Sequence, residues 1–391
     1  MTQLAKFVYS PSYTQYDFGP SHPFNPMRLV ATKSLIDTMG LLTPYDTIIP
    51  DSATFDELFL IHRPDYIDMV QRFQTREDTL NPNLLHLAQE YGLGTEDDPV
   101  FPQMHLAGSL AVGGTLTAAR LVASGQVLHA LNIAGGLHHA KRASASGFCI
   151  YNDVAVAIKW LRQHTSWKIA YIDTDAHHGD GVQQAFYDDP NVLTISMHET
   201  GQYLFPGSGS VEELGIGAGY GFSLNLPLRP YSDDESSLES LLSVVPQALA
   251  VFQPDLIVSQ HGCDGHFWDP LTDLLASTYF YAQVPLLVDS WAHQFSQGRW
   301  IAVGGGGYEL LRVVPRAWTL LWAQMIHQPL ADSAMIPSSW LEQWQSSSPQ
   351  PLPRNFLDPM EVRPTTPGSF AIAQQNRQTI YHLKQLVSWL Q

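Results

Sequence analysis

The residues of this chain with the most chemical potential lie within eight positions of one another: Asp173, Asp175, His177, His178 and Asp180. They close an apolar run, so Asp175 and His177 sit at the end of a strand. Side chains at i and i+2 share a face there and can turn toward one ion. A carboxylate and an imidazole are zinc-type donors. A distant Asp264 could complete a three-ligand site that keeps a position open for water. The competing reading is that Asp180 caps the following helix and the histidines are polar loop residues.

A second cluster is the pair His138–His139 in GGLHHA. Imidazoles titrate near neutrality and suit proton transfer, provided a carboxylate fixes the tautomer of each. If Asp175 serves a metal, Asp173 and Asp180 are left for that duty. Otherwise one histidine donates to a backbone carbonyl and neither reacts. A third cluster is Gly304–Gly307 followed by Tyr308. Four glycines let the backbone turn tightly and approach a ligand, and no Gly-Lys-Ser/Thr follows to make a phosphate loop. Tyr308 could offer its hydroxyl to a developing oxyanion, or be an ordinary half-buried tyrosine. Cys149 reads as a buried structural thiol, and no Gly-x-Ser-x-Gly elbow is present.

Apolar runs over Lys6–Tyr9, His129–Ala134, Lys168–Asp173, Val192–Met197, Phe222–Leu226, Asp255–Gln260 and Trp300–Val303 must hold these clusters. Several are continuously apolar, as in central strands covered on both faces. Helical segments alternate with them: Asn152–His164, an Ala/Gly-rich stretch over Leu106–Ser124, and one beginning at Ser232, with Glu235 at capping-box spacing. The alternation predicts an α/β fold with a doubly wound, mostly parallel central sheet flanked by helices. GGLHHA, DTDAHHGDG, SMHE, QHGCDGH and GGGGYE each follow a strand, where ligands gather in such folds.

Residues 1–391 read as a single domain. In the tail, 328–391, Pro and Ser accumulate through Ser346–Pro367. Ile380, Leu383, Val387 and Leu390 then mark an amphipathic terminal helix packed on the same domain. With 45% hydrophobic and 15% charged residues the chain can bury a large core. A net charge of −17 argues against nucleic-acid binding and favours cationic substrates. The two cysteines form no disulfide framework. The amino terminus lacks an apolar signal region, and no uninterrupted apolar run is long enough to span a bilayer. A soluble cytoplasmic protein is expected, with no membrane partner.

In order and spacing, five motifs resemble the arginase/deacetylase superfamily, in its histone-deacetylase-like branch. They are GGLHHAKRASASGFCIYNDVAVAI, IAYIDTDAHHGDGVQQAFY, VLTISMHETGQYLFPGSG, IVSQHGCDGHFWDPL and AVGGGGYE, and the likeness runs from about Phe7 to Trp322. QHGCD followed by DPLTDL, together with YLFPGSG, is similar to the bacterial acetoin-utilisation (AcuC-type) deacetylases.

The resemblance implies the arginase/deacetylase fold and a zinc-dependent deacetylase acting on acetyl-lysine in proteins or on a small acetylated amine such as an acetylpolyamine. It implies one Zn2+ held by Asp175, His177 and Asp264. The catalytic histidines would be His138 and His139, backed by Asp173 and Asp180, with Tyr308 as the catalytic tyrosine. Gly147, Phe148 and Phe205 would wall the acyl-lysine tunnel. A rim acid would come from Glu96, Asp97 or Asp98, with Asp97 preferred. An inner K+ site would use Asp173, Asp175, His177, Ser196 and Met197, and an outer monovalent site the carbonyls of Phe186, Asp189, Val192 and Phe222. Gly265 departs from the Ser expected before His266, which bears on hydrogen bonding near the metal. An arginase-like ureohydrolase with two manganese ions would need further carboxylates and a Gly-Gly-Asp-His pattern in place of GGLHHA. An acyl-lysine reader without activity would not need the intact catalytic set.

Overall fold

The apolar runs become strands because their residues are buried on both sides. Every residue of Ile169–Asp173, Val192–Glu199, Leu256–Gln260 and Trp300–Val303 is buried, and alternate side chains go to opposite cores. Ala170 and Ile172 join one cluster while Ile169 and Tyr171 join the other, as the two-residue period of a strand requires. The computed structural model describes residues 3–390.

Among the described residues, eight strands form one sheet: β1 (Gln3–Val8), β2 (Thr47–Ile48), β3 (Val127–Asn132), β4 (Ile169–Asp173), β5 (Val192–Glu199), β6 (Ser223–Leu228), β7 (Leu256–Gln260) and β8 (Trp300–Val303). All pairings are parallel, in the order β2-β1-β3-β8-β7-β4-β5-β6. The sheet is thus the parallel, helix-flanked type expected. The short edge strand β2 is an addition, since two residues carry no periodicity to read.

This order positions the site. The five strands that precede the five polar motifs, β3, β8, β7, β4 and β5, are contiguous. Their registers also align: Asn132 pairs with Val303, Val303 with Gln260, Gln260 with Asp173, and Asp173 with Ser196. One row of residues crosses the sheet, and just past it the chemistry begins.

The helix read as Asn152–His164 is Asp153–His164, with Asn152 as its cap accepting from Ala155 N. The Ala/Gly-rich segment is the helix Met104–Ala123, against β3 and that helix. Among the described residues it alone is long and apolar enough to cross a membrane, and most of it lies in the core. The helix expected from Ser232 is Asp234–Phe252 and is capped by Asp233, which accepts from Ser236 N. Ser232 instead donates its hydroxyl to Arg229 O at 2.7 Å.

The tail rejoins this body. The helix Ser338–Trp344 buries Trp340 and Trp344 beside Ala31 and Leu35. The helix Ser369–Leu386 and the turn after it bury Ile380, Leu383, Val387 and Leu390 in one sheet-face core. Asp358 anchors the stretch between them. It is fully enclosed and accepts from Arg316 Nη1 at 2.8 Å, Thr278 N at 2.9 Å and Thr278 Oγ1 at 2.7 Å.

Candidate active site

Past the strand row, Asp175 and His177 lie in the bend that follows β4, and Asp264 comes from the loop after β7. Their donor atoms lie within 4.8 Å of one another and all three are buried. His177 Nδ1 stands 2.8 Å from Asp264 Oδ2 and 3.2 Å from Asp175 Oδ1. Burial opposes charge on His177, yet its bonds to Asp175 and Asp264 outweigh this and lift the ring to about 10. For Asp264, burial and the neighbouring Asp175 charge push the carboxyl up. Two enclosed carboxylates around one imidazole favour a cation between them, and an N/O set of three fits a divalent ion of the zinc type.

The oxygens facing away from this point are also held. Asp175 Oδ2 accepts from Gln260 Nε2 and Gly306 N, both at 2.7 Å, and Asp264 Oδ1 accepts from Ala176 N at 2.9 Å. The glycine run is explained by the same contacts. A Cβ on Gly306 would collide with Asp264 Oδ2, so the β8 loop reaches the ligands only as bare backbone. Arg28, buried, donates from Nη1 to Gly305 O at 2.8 Å and Gly307 O at 3.1 Å, and Asp269 Oδ2 accepts from Tyr308 N at 2.7 Å. Burial, with Asp264 and Asp175 nearby, raises the Tyr308 phenol well above its usual value, so it keeps its proton as a donor.

The leftover carboxylates pair with the histidines. His138 Nδ1 donates to Asp173 Oδ2 and His139 Nδ1 to Asp180 Oδ1, each at 2.8 Å, and the two Nε2 atoms are 3.0 Å apart. Asp180 therefore serves His139 instead of capping the short helix Asp180–Ala185, whose cap position is Gly179. Burial would push His138 down, but Asp173 and Asp175 outweigh it and bring it up to about 9. Burial and the neighbouring His138 charge take His139 down to about 3.

Two aromatics border this centre. Phe148 meets Tyr308 edge-on with ring centres 5.6 Å apart, and Phe205 meets His139 at 5.0 Å. Gly147, at φ +53°, lies where a Cβ would strike the His139 ring and Phe205. Phe148 is itself left-handed, at φ +69°, a conformation that needs support in a bulky residue. Tyr16 supplies it: its buried hydroxyl donates to Phe148 O and accepts from Ile150 N, both at 2.9 Å. Tyr16, Arg28 and Asp269 were absent from the sequence reading because an isolated Tyr, Arg or Asp has no spacing to mark it. Of the rim candidates, Glu96 and Asp97 are exposed, whereas Asp98 is buried with Oδ1 lacking a hydrogen-bond partner. His266 points to the tail, with Nε2 2.9 Å from Asp358 Oδ2, so the Gly265 departure leaves it anchoring that segment. Cys149 is buried, and burial pushes its thiol well up, which suits a structural residue.

The pattern for a histone deacetylase domain matches residues 22–325. The chain belongs to the histone deacetylase family. As a histone deacetylase family member it is 48% identical over 374 residues to the acetoin utilization protein AcuC of Bacillus subtilis (strain 168), covering 96% of this chain and 95% of that one. It is 40% identical over 386 residues to the protein of the same name from Staphylococcus aureus (strain MSSA476), covering 98% and 96%. Among solved structures, an HDAC homolog complexed with SAHA aligns at a TM-score of 0.86 and 30% identity, over 98% of this chain and all 100% of that one. An HDAC homolog from Aquifex aeolicus aligns at 0.81 and 29%, with the same coverage. The fold is therefore the arginase/deacetylase fold.

Proposed function

We propose that this chain is a zinc-dependent deacetylase that hydrolyses the acetamide of acetyl-lysine side chains in proteins. One observation carries the reading. Two adjacent histidines, each tied to its own carboxylate, sit against the Asp175–His177–Asp264 triangle, with His138 Nε2 3.9 Å from Asp175 Oδ1. Proton-transfer groups and a cation-holding set thus share one enclosed site. The additional carboxylates of a binuclear centre are not part of this group.

Held by Asp175, His177 and Asp264, zinc would supply polarisation of an acyl carbonyl and acidification of a water. His139 takes the proton of the attacking water, with Asp180 holding its Nδ1–H and thereby aiming Nε2. Tyr308 donates its phenolic proton as a hydrogen bond to the developing oxyanion. His139 then returns a proton to the leaving amine, while His138, tied to Asp173, carries positive charge beside it. Phe148 and Phe205 flank the aliphatic stem of the substrate, and Asp97 at the rim accepts from its backbone. Ser196 pairs with Asp173 across β5 and β4, and Met197 follows it in β5, which supports a K+ site there with Asp175 and His177. An outer monovalent site would add a contact to the carbonyls of Phe186, Asp189, Val192 and Phe222. Three of these already accept backbone bonds, from Asp189 N, Val192 N and Thr194 N. Both cysteines are buried and free, which supports a reducing, cytoplasmic setting.

The net charge of −17 favours a second reading, a cationic acetylpolyamine as substrate. A panel of kcat/KM values for acetyl-lysine peptides and acetylated polyamines tests both. Preference for the peptides is expected, preference for the polyamines selects the alternative, and no turnover of either, with zinc bound, rejects deacetylation.

A further inference from the structure

At the other end of β3, far along the strand from the catalytic histidines, a second group of donors converges: His129, Asp289, His293 and His327. His129 pairs with Trp300, the first residue of β8, and so lies toward the amino ends of the strands. Asp289 and His293 are one turn apart on the helix Thr278–Phe295, so they share a face. His327 follows the helix Val314–Met325 with a left-handed backbone, φ +55°. The four donor atoms lie within 4.8 Å of one another.

We propose that these four residues form a second site for a divalent transition-metal ion of the zinc type. The first support is an orphan. His129 is fully buried, and its Nε2 has no hydrogen-bond partner, which is a cost the fold would not keep without return. The second is distance. Asp289 Oδ1 stands 3.6 Å from His129 Nε2, 3.4 Å from His293 Nε2 and 3.4 Å from His327 Nε2. These are long for hydrogen bonds. They match the edge of a tetrahedron whose centre makes bonds of about 2.1 Å, roughly 3.4 Å. Three Nε2 atoms and one carboxylate oxygen are a zinc-type donor set; magnesium and calcium would want more oxygens.

The supporting contacts are also in place. His129 Nδ1 donates to Met325 O at 2.7 Å, which fixes the tautomer with Nε2 free to bind, and Asp289 Oδ2 accepts from Gln324 Nε2 at 2.7 Å. His293 and His327 are each 43% exposed in their side chains, which gives an ion a way in. With four protein ligands the site has no place for substrate. It is a structural clamp joining β3, the helix Thr278–Phe295 and the end of the helix Val314–Met325.

The test compares the full-length enzyme with the double variant His293→Ala/His327→Ala, which alters only half-exposed side chains. Bound Zn2+ per chain is measured by elemental analysis after equilibration with chelator-buffered zinc, together with the melting temperature and deacetylase turnover. The variant is expected to bind one equivalent less and to lose a zinc-dependent rise of several degrees in melting temperature, with turnover unchanged. The count is a difference between two proteins, so it stands whatever the catalytic site holds. Equal stoichiometry in the two proteins overturns the proposal, as does extra binding seen only at millimolar zinc. Cobalt loading adds a second readout: the wild type should gain visible absorption that the variant lacks, and identical spectra would count against the site.

Discussion

The Nε2 atoms of His138 and His139 stand 3.0 Å apart, while their Nδ1 atoms donate to different carboxylates, Asp173 and Asp180. On the line between the rings one histidine must donate and the other accept. His138, raised to about 9, is the donor, and His139, lowered to about 3, is the acceptor.

That asymmetry sets the first expectation. His139→Ala should lower kcat by about 10²–10⁴-fold with zinc retained, the usual contribution of a positioned acid–base group. His138→Ala should lose less. Turnover of an acetyl-lysine peptide with metal analysis measures both, and a larger loss in His138→Ala would reverse the roles.

In the proposed reaction Tyr308→Phe removes one oxyanion donor, and it removes nothing that holds the loop, because the backbone N–H of Tyr308 still donates to Asp269. A fall in kcat of about a hundredfold or more is expected, with little change in bound zinc or melting temperature. Near-normal turnover would remove Tyr308 from the reaction.

Gly306→Ala places a methyl group against Asp264 Oδ2. Zinc affinity should fall by about 10–100-fold, the range seen when ligand-orienting contacts are disturbed. Competition against a chromophoric chelator measures it, and His177→Ala, expected to lose both metal and activity, is the reference for complete loss. Wild-type affinity in Gly306→Ala would show that the loop yields without moving the ligand.

Asp98 gives a pH dependence whose sign can be worked out. Burial and then the Asp97 charge raise its carboxyl from 3.8 to about 8. Below pH 4 the folded and unfolded states are both protonated. Between 4 and 8 only the unfolded state ionises, so stability falls as pH rises. Asp98→Asn should therefore match the wild type near pH 4 and melt several degrees higher at pH 8. A constant offset across that range, in paired melting curves, would contradict the buried neutral carboxyl.

Asp358 has the opposite sign. Burial would raise it, but its bonds to His266 and Arg316 hold it well below the usual carboxylate range. Its stabilisation is present above about pH 4 and is lost as acid protonates it. Asp358→Asn leaves Arg316 enclosed without a counter-charge, a loss of about 3–5 kcal/mol. Denaturant melts should show this cost at pH 7, together with earlier protease cleavage of the tail. A change below about 1 kcal/mol would mean the tail is held without it.

Much of this was legible in the chain because it is local. Continuous apolar runs name central strands, and the polar clusters that follow them name the candidate site: Asp175 with His177, the pair His138–His139, and Gly304–Gly307 before Tyr308. Helix starts were less secure. Ser232 and Glu235 have capping spacing, yet Asp233 takes the cap, since neighbouring polar residues compete for the same backbone donors. Only the tertiary structure decided which carboxylate serves which histidine, because Asp173 and Asp180 lie 35 and 41 positions away from their partners. It also decided that His266 anchors the tail, that Tyr16 holds Phe148 from 132 residues away, and that His129 meets His327. Sequence spacing reports neighbours on one strand or helix. Contacts between elements depend on strand order and register, and here the row Asn132–Val303–Gln260–Asp173–Ser196 makes separate motifs into one site.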